Sequence, residues 1–560
     1  MLNFTSSSRI YFSESLEALE GADGVHLLQD HIGTYYKAPW NDVGYVITFQ
    51  VYVVSGKASA RLGITKVLVK GCENTADWMR ACAPIHNDRR DITDSMRINK
   101  VVSLSSHVDF YKRMSSLSRA SVELLLAGIC DASYFYSNRS RFERWGGFED
   151  AVCRSSAAKA VMRNGSQIAL GQHVSSNGFE LAVSPFQYGD SVKFSFGNNR
   201  KVGEGNVNLL IGRNGCGKSR TLRRLVEQLT SRSERDYDNP FIHKVVVAAY
   251  SPFEEFRSEA EVLGASDPEN EVGDDDVGRR RRSLVNEYAY IGFRDPSGKF
   301  SLDWPKEASA RALIRIIDMD FHNVAWGAES RLRLLYRTLR QAFEFDAISL
   351  GLVGGGVALI SEPGEDWSPR SLVVDNIDLG RGISFIKDDA VLGLSSGQII
   401  YSYLLPCLVA EVDDESLIVL DEPELYLHPT MELGLMKMLK VLLKATRSNA
   451  VIATHSGIVA REVDRSSILV MRKSNGFTSC DHPSIETYGE SVDVIIGHVF
   501  DDYQQAKPFE GSVDAAAAKF STLNEALASL SGELGDLGVA RLASRFDCDD
   551  EPNVVRRELS

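Results

Sequence analysis

The stretch IGRNGCGKSR, Ile211 to Arg220, constrains this chain more than any other part of it. It follows the apolar run Val207 to Ile211, and its spacing, Gly212-x4-Gly217-Lys218-Ser219, fits G-x-x-x-x-G-K-[ST]. A strand that ends in such a loop and passes into a helix leaves backbone N–H groups at a helix N-terminus, where they can surround phosphate oxygens. Glycine lets the backbone come close. On this reading Gly212, Asn214, Gly215, Gly217 and Arg220 shape the phosphate cradle. Lys218 reaches the terminal phosphates, and the Ser219 hydroxyl is a ligand for Mg²⁺. Average residue usage makes such a match in a chain of this length roughly a 2% accident. The fold class that follows is α/β with a parallel sheet.

Two further apolar runs end in chemistry. SLIVLDEPELYLHP, Ser416 to Pro429, reads as a short buried strand that presents Asp421 and Glu422 at the carboxyl edge of the sheet. Asp421 is placed to hold the Mg²⁺ shell, and Glu422 to activate the attacking water as a general base. VIATHSG, Val451 to Gly457, ends another strand at His455, 34 residues after the acid (455 − 421). An imidazole there can hydrogen-bond a terminal phosphate and report its loss. Between the loop and the acids, Leu394-Ser395-Ser396-Gly397-Gln398 opens a helix with hydroxyls and N–H groups suited to an anion, or simply caps that helix.

In this order the four motifs resemble the ABC-type ATPase clan: Walker A at Gly212 to Ser219, an LSGGQ-like signature at Leu394 to Gln398, Walker B at Leu417 to Glu422 and the switch histidine at His455. The resemblance implies a P-loop NTPase whose head has a mixed sheet core, an antiparallel β subdomain and a helical insertion. It also implies ATP and Mg²⁺ as cofactors, ATP hydrolysis with Lys218, Glu422 and His455 as catalytic groups, and two heads closing face to face. Ser395, Ser396, Gly397 and Gln398 of one head then meet the nucleotide on the other, in a homodimer or higher homo-oligomer.

DEPELYLHP departs from the DEPTSALD style of transporter subunits and looks like the form in RecF-like, SMC-like and OLD-family ATPases. YSPFEEF at Tyr250 to Phe256 and IETYGESVDVIIGHVF at Ile485 to Phe500 are similar to anti-phage ATPases of the Septu PtuA type, which work beside a separate HNH nuclease. The resemblance therefore implies a partner effector. The Q-loop glutamine is absent, and Ser251 and Glu254 are the polar side chains available in its place. OLD-family proteins carry their own nuclease, and Asp547-Cys548-Asp549 has one of the spacings required, after an Ala-rich helical stretch. An acidic tail is the plainer reading.

A net charge of −14 excludes bulk electrostatic coating of nucleic acid and leaves only local DNA or RNA contact. The stripe Arg333, Arg337 and Arg340, on a helical pattern running from Ala308 to Glu344, reads either as a phosphate contact or as a solvated face. Eight cysteines without a C-x-x-C pair suggest neither zinc nor disulfides, and the Met-Leu-Asn-Phe-Thr start resembles no signal peptide. Ile399 to Val412 is too short to span a bilayer. A cytoplasmic protein is expected.

The organisation expected is an N-terminal α+β region over 1–175, a head over 176–475 with a helical insertion at about 255–390, and a helical, acidic C-terminal region over 476–560. The strands around the Ser-Gly turn at 44–69 fit either the first region or the β subdomain of the head. Ala265 to Arg282 runs from acidic to basic and reads as a surface insertion. Phe194 and Phe196 read as core in preference to adenine contacts.

Overall fold

In the computed structural model the described residues are 8–34, 36–154, 156–173, 178–185, 191–197, 202–230, 242–265, 288–323, 326, 329–364, 376–474, 477–500, 507–530 and 532–547. The chain divides into two compact units, residues 1–490 and 491–560. Most of the insertion read at Ala265 to Arg282 and the Cys548 and Asp549 positions lie outside the described residues.

The first unit contains a seven-stranded sheet whose spatial order is Tyr288–Gly292, Val245–Ala249, Leu417–Asp421, Asn449–Thr454, Val207–Gly212, Ile468–Ser474 and Phe477–Asp481. The first six strands are parallel and the last is antiparallel. The runs read as Val207 to Ile211 and Leu417 to Leu420 are fully buried central strands, which is why they are apolar without alternation except at Asn208, whose amide donates to the Ser195 carbonyl oxygen at 2.9 Å. The antiparallel pair Gly178–Val183 and Val192–Gly197 packs Phe194 and Phe196 into the same core, as their core reading requires.

The strands Thr48–Ser55 and Ala58–Val69 form an antiparallel hairpin closed by Gly56, whose φ of 62° suits glycine. They belong to a separate six-stranded sheet in the order Arg89–Asp91, Arg9–Ser13, Gly24–Gln29, Thr48–Ser55, Ala58–Val69 and Val101–Leu104. Of the two placements open for these strands, the pairing favours the N-terminal region: their hydrogen-bonding edges are filled by Gly24–Gln29 and Val101–Leu104. Helices Val108–Met114 and Ser156–Ala169 pack with this sheet around Phe12, Phe49, Phe110 and Tyr111.

The insertion is not purely helical. Two helices, Trp304–Asn323 and Arg331–Leu339, cover an antiparallel sheet of Val357–Ser361, Ala347–Gly351, Ile383–Lys387 and Ala390–Val391. The expected continuous helix over Ala308 to Glu344 is interrupted, because Ser330 caps a new helix by accepting from Arg333 N, and Asp320 accepts from Ser330 Oγ and from the backbone of Arg331 and Leu332.

An acidic run at the amino end of the Leu417–Asp421 strand fastens the parts of this unit together. Glu411 pairs with Lys244 and Arg315, Asp413 with Arg331 at 2.7 Å, Asp414 with Lys112 and with Arg447 at 2.6 Å, and Glu415 with His173 at 2.7 Å. Lys112 and His173 come from the N-terminal region, Arg315 and Arg331 from the insertion. Burial alone would disfavour the Arg331 charge, but the Asp413 and Asp109 carboxylates outweigh it and keep the guanidinium protonated, and that guanidinium in turn holds the Asp413 carboxyl well below the usual carboxylate range.

The second unit holds helix Val492–Val499 and three further helices, Pro508–Ala517, Leu523–Leu530 and Asp536–Asp547, which pack around Val513, Ala517, Ala526 and Leu542. Arg541 and Arg545 both reach Asp514. No helix among the described residues is long and apolar enough to cross a membrane.

Candidate functional site

Sheet register sets the site. Ala249, Asp421 and Ala453 stand side by side, and Thr454 pairs with Ile211, so the phosphate loop, the acid pair and the histidine all leave the same carboxyl edge. The loop needs its glycines for different reasons. Gly215 and Gly217 have φ of 77° and 110°, which favour glycine, whereas a Cβ on Gly212 would lie 2.6 Å from the Met471 carbonyl oxygen and 2.7 Å from Cys216 Sγ. Helix Lys218–Thr230 begins where the loop ends, leaving the first-turn N–H groups of the helix at the loop. Asn214 and Arg220 are exposed at its mouth.

Lys218 is buried and donates to the Gly212 carbonyl oxygen at 3.1 Å. Its Nζ also lies 2.6 Å from His455 Nε2 and 3.6 Å from Glu422 Oε1, while His455 Nε2 and Glu422 Oε1 are 2.8 Å apart. Three residues from three strand ends thus converge on one point. The hydrogen bond with His455 holds the Glu422 carboxyl below its usual range, and the positive charge of Lys218 acts in the same direction.

Asp421 behaves differently. Burial pushes its carboxyl up to about 6, with the Glu422 charge adding to the effect and a hydrogen bond from the Ser219 side chain opposing it. Its Oδ1 is buried without a partner. An orphaned carboxylate oxygen beside a hydroxyl at the mouth of a phosphate loop is a donor set that fits Mg²⁺, whose remaining ligands would be phosphate and water. Among the described residues no group of three or more His, Cys, Asp or Glu is placed to hold a metal without such help.

The signature stretch lies elsewhere. Ser395 caps helix Ser396–Glu411 in a capping box with Gln398, so the N-cap reading of this pentapeptide holds in the structure. Ser396 is exposed, and Gly397 packs on Leu427 and Met431, in the segment that follows the acids. Among the described residues no hydrogen bond or ion pair joins 395–398 to 212–219. In the Q-loop position, Glu254 is unsuited to metal sensing: Arg294 clamps both of its oxygens at 2.8 Å and Tyr290 donates to it at 2.7 Å. Ser251 Oγ accepts from Phe253 N at 3.3 Å, and Phe253 itself is 89% exposed.

The arginine stripe is engaged with its own domain. Arg333 donates to the Pro363 and Gly364 carbonyl oxygens, Arg337 pairs with Glu329 at 3.2 Å, and Arg340 pairs with Glu362 while lying over the Tyr336 and Phe345 rings. Each arginine of the stripe thus has a partner within the insertion, an arrangement that suits a solvated face.

Two residues that sequence reasoning missed are Glu424 and Glu432. Glu424 Oε1 accepts from Thr454 Oγ1 and from His455 N, both at 2.7 Å, and Glu432 accepts from Ser456 Oγ. The available signal was the glutamate at the fourth position of DEPE, where the transporter style has threonine.

Fold and site together define a P-loop α/β protein with an acid pair and a histidine on neighbouring strand ends. No family model matches the chain. It is similar to Protein ea59 of Escherichia phage lambda, with 26% identity over 422 residues, 71% of this chain and 74% of that protein. Among solved structures, an SMC head bound to the C-winged helix domain of ScpA overlaps 55% of this chain and 97% of its own, at 12% identity and a TM-score of 0.28. The SMC head domain from Thermotoga maritima overlaps 55% and 100%, at 13% identity and 0.26. An ATP-binding cassette of an ABC transporter in its ADP conformation overlaps 57% and 92%, at 14% identity and 0.26.

Proposed function

We propose that this chain binds Mg-ATP at the phosphate loop, hydrolyses it, and uses the change as a switch. The observation that carries the reading is the convergence of Lys218, Glu422 and His455 within 3.6 Å, beside Ser219 and the orphaned Asp421 oxygen. Lys218 and the loop N–H groups bind the phosphates. Glu422, kept ionised, accepts the proton of the attacking water, and His455 orients the terminal phosphate from the neighbouring strand end. Mg²⁺ held by Ser219 and Asp421 would supply charge neutralisation on the phosphate oxygens.

The exposed Ser396 on a separate helix start supports a composite site in which Ser395 to Gln398 of one copy close over the nucleotide of another, making a homodimer or higher homo-oligomer. The DEPE-x3-HP form supports a switch that governs a separate effector, a nuclease in anti-phage defence. The partners of Arg333, Arg337 and Arg340 within the domain favour the switch over DNA handling through that stripe. Measured turnover of Mg-ATP tests the reading: activity in the wild type that disappears in Lys218→Ala supports it, and no nucleotide binding by the wild type sinks it.

A further inference from the structure

The glutamate that distinguishes DEPE has no part in the chemistry above, yet its side chain ties the acidic segment to the histidine strand. Its Oε1 accepts two hydrogen bonds of 2.7 Å, one from the Thr454 hydroxyl and one from the His455 backbone N–H. The Thr454 hydroxyl in turn accepts from Ser456 N at 2.9 Å, so one carboxylate oxygen organises three successive residues around the histidine. On the far side, Glu432 takes the Ser456 hydroxyl, which also accepts from Ile458 N and Val459 N as the cap of helix Gly457–Arg461. Both shoulders of His455 are thereby held by carboxylates from the segment just after the acid pair.

This geometry matters because Glu422 is two residues before Glu424. Glu422 itself has φ of 48°, a left-handed backbone that turns the segment sharply, and its N–H donates to the Ala453 carbonyl oxygen at 2.9 Å. The base and the histidine therefore sit on two loops cross-linked by Glu424 on one side and by Glu422 N on the other. A side chain that accepted only one of these bonds, or none, would leave the imidazole free to move by the ångström or so that matters for phosphoryl chemistry.

We infer that Glu424 is a positioning residue that locks the His455 ring against Glu422, making the acid pair and the histidine one mechanical unit. The inference rests on the switch reading above and explains why a side chain with an acceptor oxygen at this reach stands at that position of the motif. Geometry, not charge, is its contribution: an amide oxygen at the same place accepts the same two hydrogen bonds. Its second oxygen is buried without a partner, so the neutral amide is also the milder substitution.

The test is a double-mutant cycle on ATP turnover with wild type, Glu424→Gln, Glu424→Ala, His455→Ala and Glu424→Ala/His455→Ala. The expected result is a fall in kcat of about 10-fold or more in Glu424→Ala with KM within about twofold, near-normal kcat in Glu424→Gln, and a further change below about twofold when Glu424→Ala is added to His455→Ala. Equal loss with and without His455, or equal damage in Gln and Ala, overturns the lock. A second measurement is independent of turnover and of any folding loss in the alanine variant. In unligated protein with labelled histidine, the ring signal identified by its loss in His455→Ala should move in Glu424→Ala and in Thr454→Val and stay in place in Glu424→Gln. A signal unmoved in all three overturns the lock even where the wild type is inactive, whereas an inactive wild type with a displaced signal rejects the switch reading alone.

Discussion

Lys218 Nζ and His455 Nε2 stand 2.6 Å apart, and the same ring nitrogen is 2.8 Å from Glu422 Oε1. One nitrogen cannot accept from the ammonium and donate to the carboxylate at once. The three groups therefore hold a contact in which one of the two bonds is unmade. A terminal phosphate resolves it, since Lys218 and His455 can both donate to the anion and Glu422 is left to a water. His455→Ala should therefore lower kcat by about 10- to 100-fold with ADP affinity within about twofold of wild type. Titration with ADP and with a non-hydrolysable ATP analogue separates the two effects.

Glu422→Gln removes the base and leaves the loop, Lys218 and Asp421 intact. Hydrolysis should fall by about 10²- to 10⁴-fold while ATP stays bound. Light scattering of this variant with and without Mg-ATP reads the assembly step directly. A rise in mass to a dimer or larger species is expected, and an unchanged monomer with ATP bound would remove the composite site.

Ser396→Arg tests the same interface from the other side. Ser396 is exposed, whereas a Cβ on Gly397 would already touch Leu427 and Met431 within its own subunit at 3.4 Å, leaving little room for anything larger, which makes Ser396 the cleaner position. Nucleotide binding by the single chain should persist within about threefold, and both ATP-dependent mass increase and turnover should be lost, by about 10-fold or more for turnover.

The site was legible because each of its parts is local in sequence. Leu209 to Ile211, Leu417 to Leu420 and Val451 to Ala453 are apolar runs without alternation, the pattern of strands buried on both faces, and each is followed at once by its chemistry. What was not legible depends on distant partners. The hairpin over Thr48–Ser55 and Ala58–Val69 was readable from its turn, but its neighbours, Gly24–Gln29 and Val101–Leu104, are chosen by burial across long stretches of chain. Likewise, the side-chain pattern of Arg331–Leu339 gave the helix but not the use of its arginines, because Glu362, Pro363 and Gly364 arrive from a strand end 22 to 31 residues later. Glu254 failed as a metal sensor for the same reason: Arg294, 40 residues on, takes both its oxygens.

Arg340 should act on stability and not on nucleic acid. It pairs with Glu362 and covers the Tyr336 and Phe345 rings, at about 40% side-chain exposure. An exposed pair of this kind and its ring contact are worth about 1 kcal/mol together after solvent screening. Arg340→Ala should lower the melting temperature by a few degrees at most, with any DNA binding at low salt unchanged; salt-dependent binding lost in this variant would restore the phosphate-contact reading.

The N-terminal sheet carries a pH signature of its own. Asp131 is fully buried, and its carboxylate accepts from the Tyr111 hydroxyl at 2.8 Å, from Ser133 N at 2.9 Å and from the Ser133 hydroxyl. These bonds oppose the burial without cancelling it, so the carboxyl is pushed up to about 6. An acid whose pKa is raised on folding binds a proton in the native state that the unfolded chain has already released, so stability falls as pH rises from about 4, the ordinary value, to about 6 and is constant beyond. The full effect is about 3 kcal/mol. Carboxyls held low, such as Asp413, slope the opposite way, but they are shared by wild type and variant and cancel in the difference. Asp131→Asn should therefore gain about 3 kcal/mol relative to wild type between pH 4 and pH 7, read from urea unfolding of both proteins across that range. A difference that stays flat with pH would mean that the Asp131 carboxyl is no harder to ionise in the folded protein than in the unfolded chain.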